Sequence, residues 1–208
     1  MKSFLVANPK GGVGKSTLAT NLAGYFARRG HKVMLGDTDR QQSSREWLKL
    51  RSPGLPRIVS WDIHPDHIAR PPKDTTHAVL DSPAGLHGKK LAQLLPLVER
   101  VIVPLQPSIF DILATRTFLD ELLKEKEVRK HKTFIAIVGM RVDARTRSAG
   151  ELERFLETLN QPVLTYLRDT QNYVQAAAHG LTIFDLSPSR AGQDWAQWEP
   201  LIRWAESD

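Results

Sequence analysis

The sequence predicts an α/β domain, a mostly parallel sheet flanked by helices, and three observations carry that expectation. An apolar run, Phe4-Leu5-Val6-Ala7, leads into the glycine-rich octet Lys10-Gly11-Gly12-Val13-Gly14-Lys15-Ser16-Thr17 and then into an amphipathic helix pattern. Short apolar runs alternate with helical patterns along the whole chain, which implies βαβ units. A further apolar run, Ala78-Val79-Leu80, ends in an acid, Asp81.

Taken in order, Phe4–Ala7 is uninterruptedly apolar, as a strand covered on both faces of a parallel sheet must be. The next residues follow the phosphate-loop pattern G-x-x-x-x-G-K-[ST], with Pro9 in the first position and an additional lysine, Lys10, before the glycines. A helix over Ser16–Arg29 follows from Leu18, Leu22 and Phe26 at four-residue spacing, with Ala19 and Ala23 beside them and Gly30 as its stop. Lys32–Gly36 is the second strand and runs into Asp37-Thr38-Asp39-Arg40-Gln41-Gln42. Further strands are expected at Ile58–Trp61, Ala78–Leu80, Val101–Leu105, Phe134–Val138 and Val163–Tyr166. Helices are expected at Ser43–Leu50, Lys89–Val98, Ile112–Lys130, Ala149–Leu159, Tyr173–His179 and Ala191–Ala205. The last of these carries Trp195, Trp198, Ile202 and Ala205 on one stripe, a core-packing pattern. With no repeat or linker evident, residues 1–208 read as one domain, with ligand expected at the carboxyl ends of the strands.

Composition narrows the chemistry. The 208 residues contain no cysteine, which excludes disulfides and cysteine-held metals or iron–sulfur clusters. No apolar stretch approaches the ~20 residues of a membrane span, and no signal peptide is evident. The net charge of +6 favours a polyanionic partner, DNA being the usual one. The excess lies in residues 1–100, with 16 Lys+Arg against 8 Asp+Glu; residues 101–208 hold 13 against 15.

Each motif has a physical reason. Gly11, Gly12 and Gly14 can adopt backbone angles that turn successive N–H groups inward as an anion nest, and the helix beginning at Ser16 aims its positive end at the same anion. Lys15 supplies a charge for β/γ-phosphates, the Ser16 hydroxyl a Mg²⁺ ligand, and Thr17 a donor to an α-phosphate. Asp37 and Asp39, two apart at a strand's carboxyl end, could reach the Mg²⁺ shell and a water at the γ-phosphate. Asp81 suits the Walker-B role beside Mg²⁺.

The octet Lys10–Thr17, the segments Asp37–Gln41 and Asp81–Gly85, Val103–Ser108, and Asp185-Leu186-Ser187 together resemble the ParA/MinD family of deviant Walker-A P-loop ATPases, most nearly its small, ParF-like partition ATPases. The resemblance spans essentially the whole chain. It implies an ATP-sandwich homodimer using ATP/ADP and Mg²⁺. Lys10 would cross to the partner's nucleotide, Lys15 would hold the β/γ-phosphates of its own, and Asp39 would orient the attacking water. Asp37, Asp81 and Ser16 would support the metal, with Gly11, Gly12, Val13, Gly14 and Thr17 completing the cradle. Two departures stand out. Relatives often place Asn after the strand Phe134–Gly139, where it helps recognise adenine; here Met140-Arg141 follow, so base binding must use backbone groups and packing there. Relatives often place Pro where this chain has Arg40.

The function this implies is a slow, partner-stimulated ATP hydrolase whose ATP dimer binds DNA without sequence preference and positions plasmid or chromosomal DNA with a ParB-like adaptor, in the cytoplasm on the nucleoid. Candidate DNA contacts are Arg141, Arg145, Arg147, Arg168, Arg190 and Arg203. The first strand begins near residue 3, so no N-terminal helix-turn-helix is expected. The alternative is a positioning ATPase for a protein cargo. A membrane-bound MinD-like regulator fits poorly, because the tail Trp204-Ala205-Glu206-Ser207-Asp208 is acidic rather than basic and amphipathic. A metabolic ATP-dependent ligase on the same fold would not need Lys10 with Asp37 and Asp39.

Overall fold

Along the first strand Phe4 and Val6 turn to one side and Leu5 to the other, and all are fully buried. Such a strand needs cover on both faces, and the computed structural model, which describes residues 1–64, 67–69, 71–130 and 132–207, supplies it. Its strands are β1 (Lys2–Val6), β2 (Val33–Asp37), β3 (Ile58–Trp61), β4 (Ile63–His64), β5 (His67–Ile68), β6 (His77–Asp81), β7 (Arg100–Leu105), β8 (Phe134–Met140) and β9 (Val163–Leu167). Its helices are α1 (Lys15–Arg28), α2 (Ser43–Leu50), α3 (Gly88–Leu94), α4 (Ile109–Leu122), α5 (Lys126–Arg129), α6 (Arg147–Glu157), α7 (Gln171–Ala178) and α8 (Pro188–Glu206).

Seven strands form one parallel sheet in the order β3-β2-β6-β1-β7-β8-β9, all seven foreseen from the apolar runs. The small antiparallel ribbon β4-β5 was not. One face of the sheet packs Leu18, Leu22 and Phe26 of α1, Trp47 of α2, and Trp198, Leu201 and Ile202 of α8. The other packs Leu91 of α3, Phe118 and Leu119 of α4, and Leu152 and Phe155 of α6. The register sets Val6 of β1 beside both Asp81 of β6 and Ile102 of β7, and Asp37 of β2 directly opposite Asp81. The acids expected to serve the nucleotide thus lie on neighbouring strands at the end where β1 leaves the sheet.

Three helices depart by three residues or more at an end from their expected bounds. The helix expected over Lys89–Val98 is α3 plus a 3₁₀ turn at Leu95–Leu97, because Pro96 has no N–H to continue an α-helix. The helix expected over Ile112–Lys130 starts earlier, at Ile109 after the cap Ser108, and stops at Leu122 before the separate turn α5. Its fully buried stripe ends at Leu122: Leu123 is exposed, and in the charged run that follows Val128 is only half-buried against the core. Pro188 at the first helical position, after Ser187, extends α8 in front of Ala191.

At the amino end of the sheet His77 is 6% exposed and stacks on Phe26 and His31, with ring centroids 4.2 and 4.1 Å away. Burial, reinforced by His31, Lys2 and the N-terminal ammonium, pushes its pKa down to about 4. The unfolded chain therefore takes up this proton near pH 6.5 while the folded chain does not until about 4, so the contribution is complete above pH 6.5 and is lost as pH falls. Between pH 7.5 and 5 this residue should remove about 2 kcal/mol of stability. Urea midpoints at the two pH values check this: His77→Phe should lose less on acidification than the wild type, and equal losses would contradict it.

Candidate functional site

The loop between β1 and α1 is held from both sides. Asn8 Nδ2 donates to the Pro104 carbonyl (2.8 Å) and to Thr115 Oγ1 (2.9 Å), and its Oδ1 accepts the Lys10 N–H (2.9 Å). Gln106 Nε2 donates to the Gly12 carbonyl (2.9 Å), and the Gly85 N–H to the Pro9 carbonyl (2.7 Å). The loop is thereby fastened to β7, to α4 and to the segment after β6. Gly12 and Gly14 have φ of 77° and 98°, the left-handed region that residues with a Cβ avoid. A Cβ on Gly14 would lie 2.7 Å from Met140 Cε, a flexible chain end that can shift, so it is the left-handed φ that calls for glycine here.

The loop faces a cavity of about 900 Å³, whose walls include Gly11, Gly12, Gly14, Lys15, Ser16, Thr17, Asp39, Arg40 and Arg141. Lys15 is buried, and its Nζ arcs back to the Lys10 carbonyl (2.7 Å). Burial pulls its pKa down, while the charges of Asp81 and Asp39 oppose the shift. An ammonium held in this way gains strongly from an anion arriving at the loop. Lys10 and Val13 belong to the loop but do not form the cavity wall; Val13 is fully buried. Met140 lies behind Gly14, and Arg141 reaches the wall through a left-handed backbone, φ 52°.

The three acids have separate surroundings. Asp81 accepts from Ser44 Oγ through Oδ2 (2.6 Å), while its buried Oδ1 has no hydrogen-bond partner among the described residues. Burial raises its pKa to about 6; the Ser16 and Ser44 hydroxyls oppose this, and the charge of Asp37 adds to it. An orphan buried carboxylate oxygen beside Ser16 is a donor set that fits a hard cation such as Mg²⁺. Among the described residues no group of three or more His, Cys, Asp or Glu side chains could hold a metal alone, so Mg²⁺ at this place would lean on the phosphates as well.

Asp39 reaches across the cavity mouth: Oδ1 accepts the Gln41 N–H (2.9 Å) and Oδ2 the Ala84 N–H (3.4 Å), linking the loops after β2 and β6. Asp37, read from the sequence as a metal supporter, is turned inward. Its Oδ1 accepts the Asp39 N–H, and its Oδ2 accepts the Ser44 and Arg45 N–H groups at the start of α2. It anchors the Asp39 loop and caps α2 rather than facing the cavity. Burial raises its pKa, and those backbone bonds work against the shift.

The six arginines expected to contact DNA fall in three places: Arg168 and Arg190 are joined through Asp194 and Asn172, Arg141, Arg145 and Arg147 follow β8, and Arg203 lies near the end of α8. Arg168 Nε donates to the fully buried Asp194 (2.6 Å), a structural pairing that Asn172 joins (2.7 Å). Arg190 bonds to Asn172 and Gln175. Arg145 pairs with Asp143 (2.8 Å) near Arg147 at the start of α6, and Arg141 lines the nucleotide-side cavity. Arg203, paired with Glu199, lies near the end of α8, where the following carbonyls meet Lys2 at the amino end of β1, far along the sheet from the loop. Asn8, Gln106 and Thr38, whose N–H and hydroxyl both donate to the Asp81 carbonyl (3.0 Å), were not anticipated as site residues. Gln106 lies in a segment whose match was visible, but its bond to the loop needed the β1–β7 pairing.

The family model described as the CobQ/CobB/MinD/ParA nucleotide binding domain matches residues 4–183. The maintenance of carboxysome distribution protein A of Halothiobacillus neapolitanus is 29% identical over 192 residues, covering 88% of this chain and 87% of that protein. The chromosome-partitioning ATPase Soj of Thermus thermophilus is 26% identical over 230 residues, 92% and 91% covered. Among solved structures, a Cyanothece McdA–ATP complex aligns with a TM-score of 0.72 at 15% identity, covering 97% and 96%. With its phosphate loop, parallel sheet and this match, the chain belongs to the CobQ/CobB/MinD/ParA nucleotide-binding domain family.

Proposed function

We propose that this chain is an ATP-hydrolysing positioning switch: two ATP-loaded copies pack face to face, the pair holds DNA without sequence preference, and a partner protein on the cargo stimulates hydrolysis and releases it. The observation that carries this reading is the meeting of Lys15, Ser16 and Asp39 in one cavity wall, with the orphan Asp81 oxygen buried beside Ser16 and a second lysine, Lys10, on the same loop. Lys15 neutralises the β/γ-phosphates. Ser16 and Asp81 hold Mg²⁺, which supplies charge neutralisation on the phosphates when bound. Asp39 orients the attacking water, and Lys10 reaches the second copy's nucleotide.

A second observation supports the pairing. Phe110 is 73% exposed on α4, with Ile109 and Leu113 beside it. That helix is tied to the phosphate loop through Asn8–Thr115 and, just before its first turn, through Gln106–Gly12. Apolar surface beside the loop gains by burial against another copy. The carboxysome-distribution relative favours a protein assembly as cargo, and Soj favours DNA.

Anisotropy of random-sequence duplex DNA with Mg–ATP, Mg–ADP or no nucleotide tests the reading. Binding is expected with ATP only; if the dimer neutralises ~6 phosphates, the log–log salt slope should be near −5. Phe110→Glu should still bind ATP but remain monomeric by light scattering and lose DNA binding. Equal DNA binding in all three nucleotide conditions, or an ATP dimer unaffected by Phe110→Glu, would count against the switch.

A further inference from the structure

Several arginines elsewhere are held by a partner, whereas the two in the cavity wall, Arg40 and Arg141, make no side-chain hydrogen bond, ion pair or ring contact with the described residues. Arg28 and Arg51 pair with Asp185, Arg145 with Asp143, Arg168 with Asp194 and Arg203 with Glu199. Arg40 makes no hydrogen bond, ion pair or ring contact with the described residues, yet it lines the cavity with Lys15, Ser16 and Asp39. The backbone around it is fixed. Thr38 donates to the Asp81 carbonyl, Asp39 to Asp37, Gln41 to the Asp39 carboxylate and Gln42 to the Asp39 carbonyl (3.2 Å). The adjacent Asp39 carboxylate is turned to the Gln41 and Ala84 N–H groups and leaves the guanidinium free. Lys15, Arg40, Lys90 and Arg141 stand in the cavity wall against a single carboxylate, Asp39, among the described lining residues. A wall so charged suits an anion carrying several charges, and a planar guanidinium can give a phosphate two parallel N–H···O bonds.

We propose that Arg40 is a catalytic residue that grips the γ-phosphate of the ATP bound in its own subunit and makes this site discriminate ATP from ADP. The inference rests on the ATP reading above. In hydrolysis a water oxygen bonds to the γ-phosphorus as the β,γ-bridging P–O bond breaks. The electron pair leaves with the ADP oxygen, and the water's proton passes to the released phosphate. Arg40 stays on the γ-oxygens throughout, where charge is redistributed.

Calorimetric titration of wild type, Arg40→Ala and Arg40→Lys with a non-hydrolysable ATP analogue and with ADP, each with Mg²⁺, tests this. Arg40→Ala should weaken the analogue by roughly 10- to 100-fold and ADP by less than about twofold, the range for a hydrogen bond to a charged group. Arg40→Lys should recover only part of the loss, because an ammonium cannot form the fork. Thermal unfolding should not change, since the side chain makes no hydrogen bond, ion pair or ring contact with the described residues. An unchanged analogue-to-ADP ratio in Arg40→Ala overturns the inference and leaves the nucleotide reading intact. A wild type that binds neither nucleotide overturns both. If Arg40→Ala has no effect in the Phe110→Glu background, the guanidinium acts across an interface and its placement in its own site is overturned.

Discussion

Lys15→Ala should weaken Mg–ATP binding on the order of 100-fold while leaving the stability of the fold within about 1 kcal/mol. The two halves of this expectation have one cause. Lys15 is an ammonium buried in the loop, with its pKa drawn down by burial and one hydrogen bond, to the Lys10 carbonyl, holding it. Without an anion, its charge is an expense to the folded state, partly offset by Asp81 and Asp39. Removing it costs one hydrogen bond and relieves a desolvated charge, a net change within about 1 kcal/mol. With nucleotide bound, the same removal leaves phosphate oxygens without their counter-ion in a partly dry cavity. Calorimetry and thermal unfolding on the same preparation separate the effects. Unchanged ATP affinity would contradict the assignment, and a large drop in unfolding temperature would mean that Lys15 is a structural residue.

Arg168→Glu should destabilise the protein on the order of 3 kcal/mol, whatever it does to DNA binding. Asp194 is fully buried on α8 and accepts from Arg168 Nε (2.6 Å) and Asn172 Nδ2 (2.7 Å). Reversing the arginine sets a second carboxylate against a buried one that has lost its cation. Arg145→Glu provides the contrast. Its side chain is 89% exposed and pairs with Asp143 two residues away, so the change should leave the urea midpoint almost unmoved. Urea unfolding measures both variants. A wild-type midpoint for Arg168→Glu would overturn the pairing. Lost DNA binding in that variant must be read against its stability, and Arg145 and Arg147 offer cleaner probes of a DNA surface.

The fold was legible because its signals are local. Seven apolar runs, each bounded by turn residues or charges, became the seven strands of the parallel sheet. Helix ends were less legible where neighbours override periodicity. α4 begins three residues before its buried stripe because Ile109 and Phe110 are helical yet solvent-facing, and a pattern that reads burial cannot see a helix turn with an exposed apolar side.

What the sequence by itself determined is the chemistry of the phosphate loop. Gly12 and Gly14 take left-handed backbone angles and Lys15 follows them at a fixed spacing, so the anion cradle is written in eight consecutive residues and needs only a strand before it and a helix after it. The tertiary structure alone decided which distant groups that cradle meets. Sheet order put Asp81 beside Val6 and opposite Asp37, and then gave the two carboxylates different work. Asp37 accepts three backbone N–H groups and anchors a loop, while Asp81 keeps one buried oxygen unpaired beside Ser16. The same packing bound Arg168 to Asp194 and left Arg40 free at the cavity wall. A residue's type fixes the charge and hydrogen bonds it can offer; whether they are already taken depends on groups far away in the chain, and folding settles that by burying some of them together and leaving others facing water.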